Sequence, residues 1–375
     1  MKKKHHSHVH KKHHHKKVKK WPNINYIIVT LLGIIAVIAV FNISKLSSMM
    51  KHVDEVDNGF PNIELLVIRD ASCTKCYGLI REIETIKAMD VDVEEKIVDF
   101  NSREARNLID KYDIKKIPII LISGEIEGLE VPNFERRDDV LVLARILSPY
   151  INTANGEVKG VVELVHITKS NCEKCVDLNP VIRQFKQTGM VFSKETVLDD
   201  TQAADLIARY DIKKLPILIF SEGASEYDTI KQSWQQLGTV EEDGSYILRG
   251  INPPYYSLED NTIKGLVKLT MLVDESCTEC YEVRLHKPIL ERFSITIDTE
   301  ETVDVSSEQG KRIIEKYDIK KVPTIILSDE ANAYPILKPV WKQVGTIEED
   351  GAYIFRNVEV MKGKYVDLET KEIKG

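Results

Sequence analysis

YDIKKIPIILIS, residues 112–123, returns as YDIKKLPILIFS at 210–221 and as YDIKKVPTIILS at 317–328. Three near-copies of a twelve-residue string in a chain of 375 residues mark an internal repeat, which has to be recognised before any fold is argued. Upstream of each string lies a cysteine pair: Cys73 and Cys76, Cys172 and Cys175, Cys277 and Cys280. The gap from the first cysteine to the proline of the string (Pro118, Pro216, Pro323) is 45, 44 and 46 residues. Successive first cysteines are 99 and 105 residues apart, a domain's length rather than a solenoid unit's, so each copy can hold its own core.

Within a copy, the short apolar runs ELLVIRD (64–70), VELVHIT (162–168) and LVKLTMLVD (266–274) end just before the cysteines and read as buried strands. The cysteines are expected to open a helix. Leu79, Ile80, Ile83, Ile86 and Met89 recur at helical spacing after Cys76, as Val181, Ile182 and Phe185 do after Cys175. A second strand is expected near 95–100, then an amphipathic helix, the Tyr-Asp-Ile-Lys-Lys string, and a proline that starts another apolar strand.

Copies two and three share a further string: Trp234 precedes GTVEEDGSYILR (238–249) and Trp341 precedes GTIEEDGAYIFR (345–356). Asp243-Gly244 and Asp350-Gly351 predict type I′ hairpin turns, in which both central residues have positive φ. The first copy lacks this string and has a helical-looking stretch at 137–147. Turn-rich segments at 152–156 and at Asn252-Pro253-Pro254 mark the ends of the first two copies. The expected α/β domains cover 60–150, 158–252 and 263–360, with a tail at 361–375.

The start of the chain is different. Residues 1–44 hold nine lysines, seven histidines and no acid, so a net charge of −7 leaves −7 − 9 = −16 for the rest. An acidic body disfavours nucleic acid as a partner, because phosphate binding needs clustered positive charge. Residues 24–43, INYIIVTLLGIIAVIAVFNI, carry no charge and are long enough to cross a bilayer as one helix. The lysine-rich flank at 1–23 predicts a cytoplasmic N-terminus and an extracytoplasmic body. A cleaved signal peptide is the competing reading, but the apolar run is longer than a usual signal and no clear cleavage site follows it. The His/Lys tail could bind a transition metal; a disordered topology signal is the plainer account.

All six cysteines fall into the three pairs. A cysteine at a helix start forms its thiolate readily, and a second one a turn later can resolve a mixed disulfide. This arrangement resembles the thioredoxin superfamily, and three copies in tandem are similar to the protein disulfide isomerase arrangement. The resemblance implies a central mixed sheet flanked by helices, with Cys73, Cys76, Cys172, Cys175, Cys277 and Cys280 as catalytic residues. It also implies cis peptide bonds before Pro118, Pro216 and Pro323, with substrate pairing on the backbone of Ile117, Leu215 and Val322. Pro180 falls where that family's active-site helix often has a proline. The resemblance stops short of the Trp-Cys-Gly-Pro-Cys signature: Ser72, Asn171 and Ser276 precede the cysteines. It also lacks the buried acid six positions ahead, where Val67, His166 and Met271 stand.

The residues between the cysteines are Thr-Lys, Glu-Lys and Thr-Glu. Lysine favours a thiolate and glutamate opposes it, so thiol reactivity is expected to fall from Cys73 to Cys172 to Cys277. The lysine pairs 115/116, 213/214 and 320/321 either add positive potential at the sites or form a solvated turn.

The implied activity is thiol–disulfide exchange on proteins outside the cytoplasm, with the disulfides as the only redox groups, no other cofactor, and a partner protein supplying or removing electrons. Two alternatives use the same cysteines. Thioredoxin-like modules can bind clients without catalysis, and cysteine pairs can bind zinc if two meet or if His166 or His286 joins them. Static stapling explains them poorly, since a Cys-x-x-Cys loop is too short to constrain the unfolded chain much. No Walker loop, dinucleotide fingerprint or His-Glu-x-x-His helix is present.

Overall fold

A computed structural model of the chain describes residues 59–375. The expected transmembrane helix at 24–43 and the basic tail lie outside the described residues, among which no helix is long and apolar enough to cross a membrane. Residues 62–375 form one compact unit, which contains all three repeats.

The first repeat runs β1 (Asn62–Arg69), α1 (Ile80–Lys87), β2 (Asp92–Asp99), α2 (Arg103–Lys111), β3 (Lys116–Ile117), β4 (Ile119–Gly124), β5 (Phe134–Arg137), β6 (Val140–Leu143), β7 (Tyr150–Asn152) and β8 (Val158–Lys159). The second runs β9 (Val161–Thr168), α3 (Asn179–Gln187), β10 (Val191–Asp199), α4 (Ala204–Arg209), β11 (Lys214–Leu215), β12 (Ile217–Phe220), α5 (Asp228–Leu237), β13 (Thr239–Val240), β14 (Tyr246–Leu248), β15 (Tyr255–Ser257) and β16 (Thr262–Lys264). The third runs β17 (Val267–Val273), α6 (His286–Arg292), β18 (Ile297–Asp304), α7 (Glu308–Tyr317), β19 (Lys321–Val322), β20 (Thr324–Leu327), α8 (Leu337–Val344), β21 (Gly345–Ile347), β22 (Tyr353–Phe355), β23 (Tyr365–Asp367) and β24 (Glu372–Lys374).

Each repeat builds one five-stranded sheet, ordered β2-β1-β4-β6-β5, β10-β9-β12-β14-β13 and β18-β17-β20-β22-β21. The strand that leads into the cysteines pairs in parallel with its outer neighbour and antiparallel with the strand after the proline. Such a strand has apolar neighbours on both faces, which is why ELLVIR is a continuous run rather than an alternation. In the second repeat, Leu164, Leu218, Phe220 and Leu248 pack under Ile182 of α3 and Trp234 of α5. The opposite face, with Ile167, Ile217, Ile219 and Ile247, packs against Ala203 at the start of α4. The strand order and the single crossover helices fit tandem thioredoxin-like domains.

The thrice-repeated string holds this sheet together. Tyr112, Tyr210 and Tyr317 donate hydroxyl protons to Asp139, Asp243 and Asp350 at 2.8, 2.8 and 2.9 Å. The next residue, Asp113, Asp211 or Asp318, has φ of 50, 47 or 47°, a left-handed conformation that aspartate tolerates. Arg137, Arg249 and Arg356 return to the tyrosine carbonyls at 2.9, 2.7 and 2.7 Å. The string therefore clamps the terminal hairpin of each sheet to the helix before it.

Four expectations need correction. Residues 137–147 of the first repeat are not a helix: they hold the end of β5, the turn and β6 of a hairpin over 134–143, followed by a loop, and Val140, Leu141, Val142 and Leu143 are all buried beside β4. The Asp-Gly turns are not type I′: Gly244 and Gly351 have φ of +81 and +83°, but their aspartates do not have positive φ. The amides of Gly244 and Gly351 reach back to Glu241 and Glu348, which makes a type I turn closed by a left-handed glycine. The repeats also end later than expected. Strands β7 and β8 carry the first to Lys159, β15 and β16 carry the second to Lys264, and residues expected as a tail form β23 and β24. Finally, the cysteines do not open the helices: α1 and α3 start four residues after Cys76 and Cys175, and α6 starts six after Cys280. Glu282 caps a short 3-10 helix, Val283–Leu285, that leads directly into α6, and Asp177 accepts the Asn179 amide at the start of α3.

Candidate functional site

Cys73–Cys76, Cys172–Cys175 and Cys277–Cys280 are disulfide-bonded, with Cα separations of 5.5, 5.4 and 5.5 Å. Each pair sits in a turn between the central strand and the following helix. The peptide bonds before Pro118, Pro216 and Pro323 are cis, as are Ser148–Pro149 and Pro253–Pro254.

In the first repeat, Pro118 and both cysteines line one cavity of about 440 Å³, together with Val67, Ile80, Ile83 and Ile97. Ile80 is 70% and Ile97 53% exposed, so the cavity opens through apolar side chains. In the third repeat, Cys277 and Cys280 pack on the cluster that contains Val322. There Tyr281, the residue after Cys280, donates its hydroxyl proton to the Pro323 carbonyl at 2.6 Å. Since that proton is spent, the 3.2 Å contact between the same hydroxyl and His286 Nε2 makes His286 the donor, in its Nε2–H tautomer.

A second, smaller sheet brings the proline loop and the cysteine turn together in every repeat. Its strand orders are β3-β7-β8, β11-β15-β16 and β19-β23-β24. On one side the strands pair Ile117 with Ile151, Leu215 with Tyr256 and Val322 with Val366. The amides of Thr153, Leu258 and Leu368 donate to the carbonyls of Lys115, Lys213 and Lys320. Antiparallel ladders alternate bonded and non-bonded pairs, so two residues on, Ile117, Leu215 and Val322 are in the bonded class and exchange both backbone groups with their own chain. On the other side, the amides of Tyr77, Val176 and Tyr281 donate to the carbonyls of Pro149, Pro254 and Lys364 at 2.7, 2.7 and 2.9 Å. One strand of the chain thus bridges each disulfide and its proline, and it uses the backbone groups that sequence reasoning assigned to substrate. The Tyr-Asp-Ile-Lys-Lys string does not signal this strand; the signal that could have found it is a second repeat, in which Tyr150, Tyr255 and Tyr365 are each followed at the same distance by Val-Lys-Gly or Ile-Lys-Gly at 158–160, 263–265 and 373–375.

The paired lysines do not lend free charge to the sites. Lys115, Lys213 and Lys320 pair with Asp113, Asp211 and Asp318. Lys116, Lys214 and Lys321 lie over the rings of Tyr150, Tyr255 and Tyr365 on the covering strands, 4.0, 4.4 and 5.5 Å from their centres. The solvated-turn reading is the better one for the first of each pair.

Each repeat also buries a different set of polar atoms. His166 and Met271 hold the sheet position of Val67, each six residues before its first cysteine. His166 is 7% exposed with no partner for Nε2; burial lowers its pKa, against the pull of Asp177. In the third repeat burial pushes His286 down to about 4. In the first, Tyr77 donates to Glu82 Oε1 at 2.8 Å, while Oε2 is buried without a partner. Neither His166 nor His286 joins a metal-type cluster: among the described residues no group of three or more His, Cys, Asp or Glu is assembled.

No family model and no curated protein matches the chain. Solved structures that resemble it are crystal structures of ERdj5 form II (12% identity, 76% of this chain and 42% of that chain, TM-score 0.15) and of human ERp44 form II (14% identity, 78% and 86%, TM-score 0.14). The first two thioredoxin domains of Naumovozyma dairenensis Eps1p match at 10% identity over 45% of this chain and 80% of that one, with a TM-score of 0.13. The chain spans less than half the length of the ERdj5 chain. The class of the molecule rests on its own geometry: a tandem array of α/β units with thioredoxin-like strand order, each with a Cys-x-x-Cys disulfide next to a cis-proline strand.

Proposed function

We propose that the chain is a thiol–disulfide exchange protein, anchored in a membrane by residues 24–43, whose three Cys-x-x-Cys pairs act on protein thiols and disulfides outside the cytoplasm. The observation that carries the reading is the first-repeat cavity, in which Cys73, Cys76 and Pro118 share one solvent-open wall. A client thiolate attacks one sulfur of the pair, a mixed disulfide forms, and the other cysteine leaves as a thiolate. A second client thiolate then attacks the mixed disulfide at the client's own sulfur. The client leaves oxidised and the pair reduced, with two electrons transferred; the reverse sequence reduces a client. The pairs are the redox groups of this scheme, so a partner protein must reset them. For a client to pair with Ile117, Leu215 or Val322, β7, β15 or β23 must first be displaced. That requirement favours client binding without turnover as the second reading.

The test is the equilibrium of each pair with glutathione, measured in full-length protein that retains one pair and has serine at the other four cysteines. Reduction potentials of about −120 to −180 mV make the protein an oxidase or isomerase, and about −270 mV a reductase. Pairs that resist both glutathione and dithiothreitol overturn exchange and leave client binding.

A further inference from the structure

The residue between the cysteines and next to the second one is Lys75, Lys174 or Glu279, and the first two point out of their own repeats. Lys75 Nζ donates to the carbonyl of Phe192, in β10 of the second repeat, at 3.3 Å. Lys174 Nζ lies 2.5 Å from Asp298 Oδ1, in β18 of the third repeat. Phe192 and Asp298 are each the second residue of their strands, so the same junction is built twice. The two junctions differ in charge. Lys75 meets a neutral carbonyl and keeps its full positive field, whereas Lys174 meets a carboxylate. In the third repeat Glu279 pairs instead with Lys364 of its own repeat.

This matters because the disulfide turns lie ahead of the helices and the amides of Tyr77, Val176 and Tyr281 are already committed to carbonyls. With little help from a helix terminus, the local side-chain charges decide how readily a thiolate forms. We propose that Asp298 of the third repeat sets the reactivity of the Cys172–Cys175 pair, by holding Lys174 and cancelling its charge. The second site is then restrained by the repeat that follows it, and the first is not. This inference rests on the exchange reading above and names a positioning residue for it.

The other charged or titratable groups around this pair stay constant when Asp298 is changed. They are Lys169, tied to Asp200 at 2.5 Å and lying over the Tyr256 ring; Glu173, between the cysteines; Asp177 and the buried His166; and Lys213 and Lys214 ahead of Pro216. Lys174 is 57% and Asp298 26% exposed at the side chain, so the effect is that of a screened surface pair.

The experiment uses full-length protein with serine at Cys73, Cys76, Cys277 and Cys280, so that only Cys172–Cys175 remains. After reduction with dithiothreitol, the rate of iodoacetamide alkylation is followed against pH at low and high salt. D298N frees Lys174 and lowers the apparent thiol pKa by a few tenths of a pH unit, about a twofold gain in thiolate at neutral pH. The shift shrinks at high salt. In a K174Q background, D298N has no effect. An unchanged pKa in D298N, or a shift that persists in K174Q, overturns the proposal while leaving the exchange reading intact. A pair that dithiothreitol cannot reduce overturns both.

Discussion

Tyr77 and Tyr281 occupy the same place, one residue after the second cysteine, yet their hydroxyls look in different directions. In the third repeat Tyr281 is buried, bound to the Pro323 carbonyl and backed by His286, whose ring packs 4.5 Å from Phe355. In the first repeat Tyr77 turns to Glu82, which stands where His286 does, nine residues after the first cysteine, and a cavity stays open beside Cys73 and Cys76. The helices follow the same division. Trp341 of α8 closes the third core and Trp234 of α5 the second, while the first repeat has the loop residues Ile126, Leu129 and Val131 before its hairpin. Shared sheet order and shared cysteines therefore fix where a site is, while the partner of the tyrosine that follows the second cysteine differs between the first and third repeats.

The largest effect that can break this contrast is on α8. W341A removes a side chain that is 4% exposed and bonded to the Ile354 carbonyl, and should cost the third repeat about 3 to 5 kcal/mol in denaturant unfolding. Hydrogen exchange should show the loss in β17–β22 and not in the first repeat; equal loss in both would mean that the repeats unfold as one body.

Acid comes next. His286 titrates near 6.5 when unfolded and is pushed down to about 4 when folded, so its contribution is complete above pH 6.5 and is lost as pH falls toward 4. The third repeat should lose up to about 3 kcal/mol across that window. H286Q should flatten the slope, and a wild-type slope retained in H286Q would assign it elsewhere.

Removing one hydroxyl is gentler. Y281F leaves the buried Pro323 carbonyl without its donor and should cost about 1 to 2 kcal/mol. Y77F strips Glu82 of a partner in a half-buried setting and should cost less. A larger loss in Y77F would show that the first site is the more tightly held of the two.

The smallest effect concerns the thiols themselves. Lysine and glutamate between the cysteines predict reactivity falling evenly from the first pair to the third. With Lys174 cancelled by Asp298 and Glu279 by Lys364, Glu173 is left as the uncompensated charge at the second pair, so the order should become first, third, second, each step about twofold at low salt. A third pair that reacts fastest would refute both versions.

Much of this was legible in the sequence. The three strings, their spacing from the cysteines and the continuous apolar runs determined that there are three α/β units, because a central strand buried on both faces must be apolar throughout and a repeated length sets a repeated core. What spacing could not show was how the chain closes on itself. The stretch 137–147 reads as a helix because four consecutive apolar residues suit either a buried strand or part of a buried helix until a neighbouring strand is in place. The pairing of the covering strands with the proline loops, and the reach of Lys174 to Asp298, join residues far apart in sequence. Only the tertiary structure decides such pairings, since a backbone hydrogen bond does not depend on which side chain carries it.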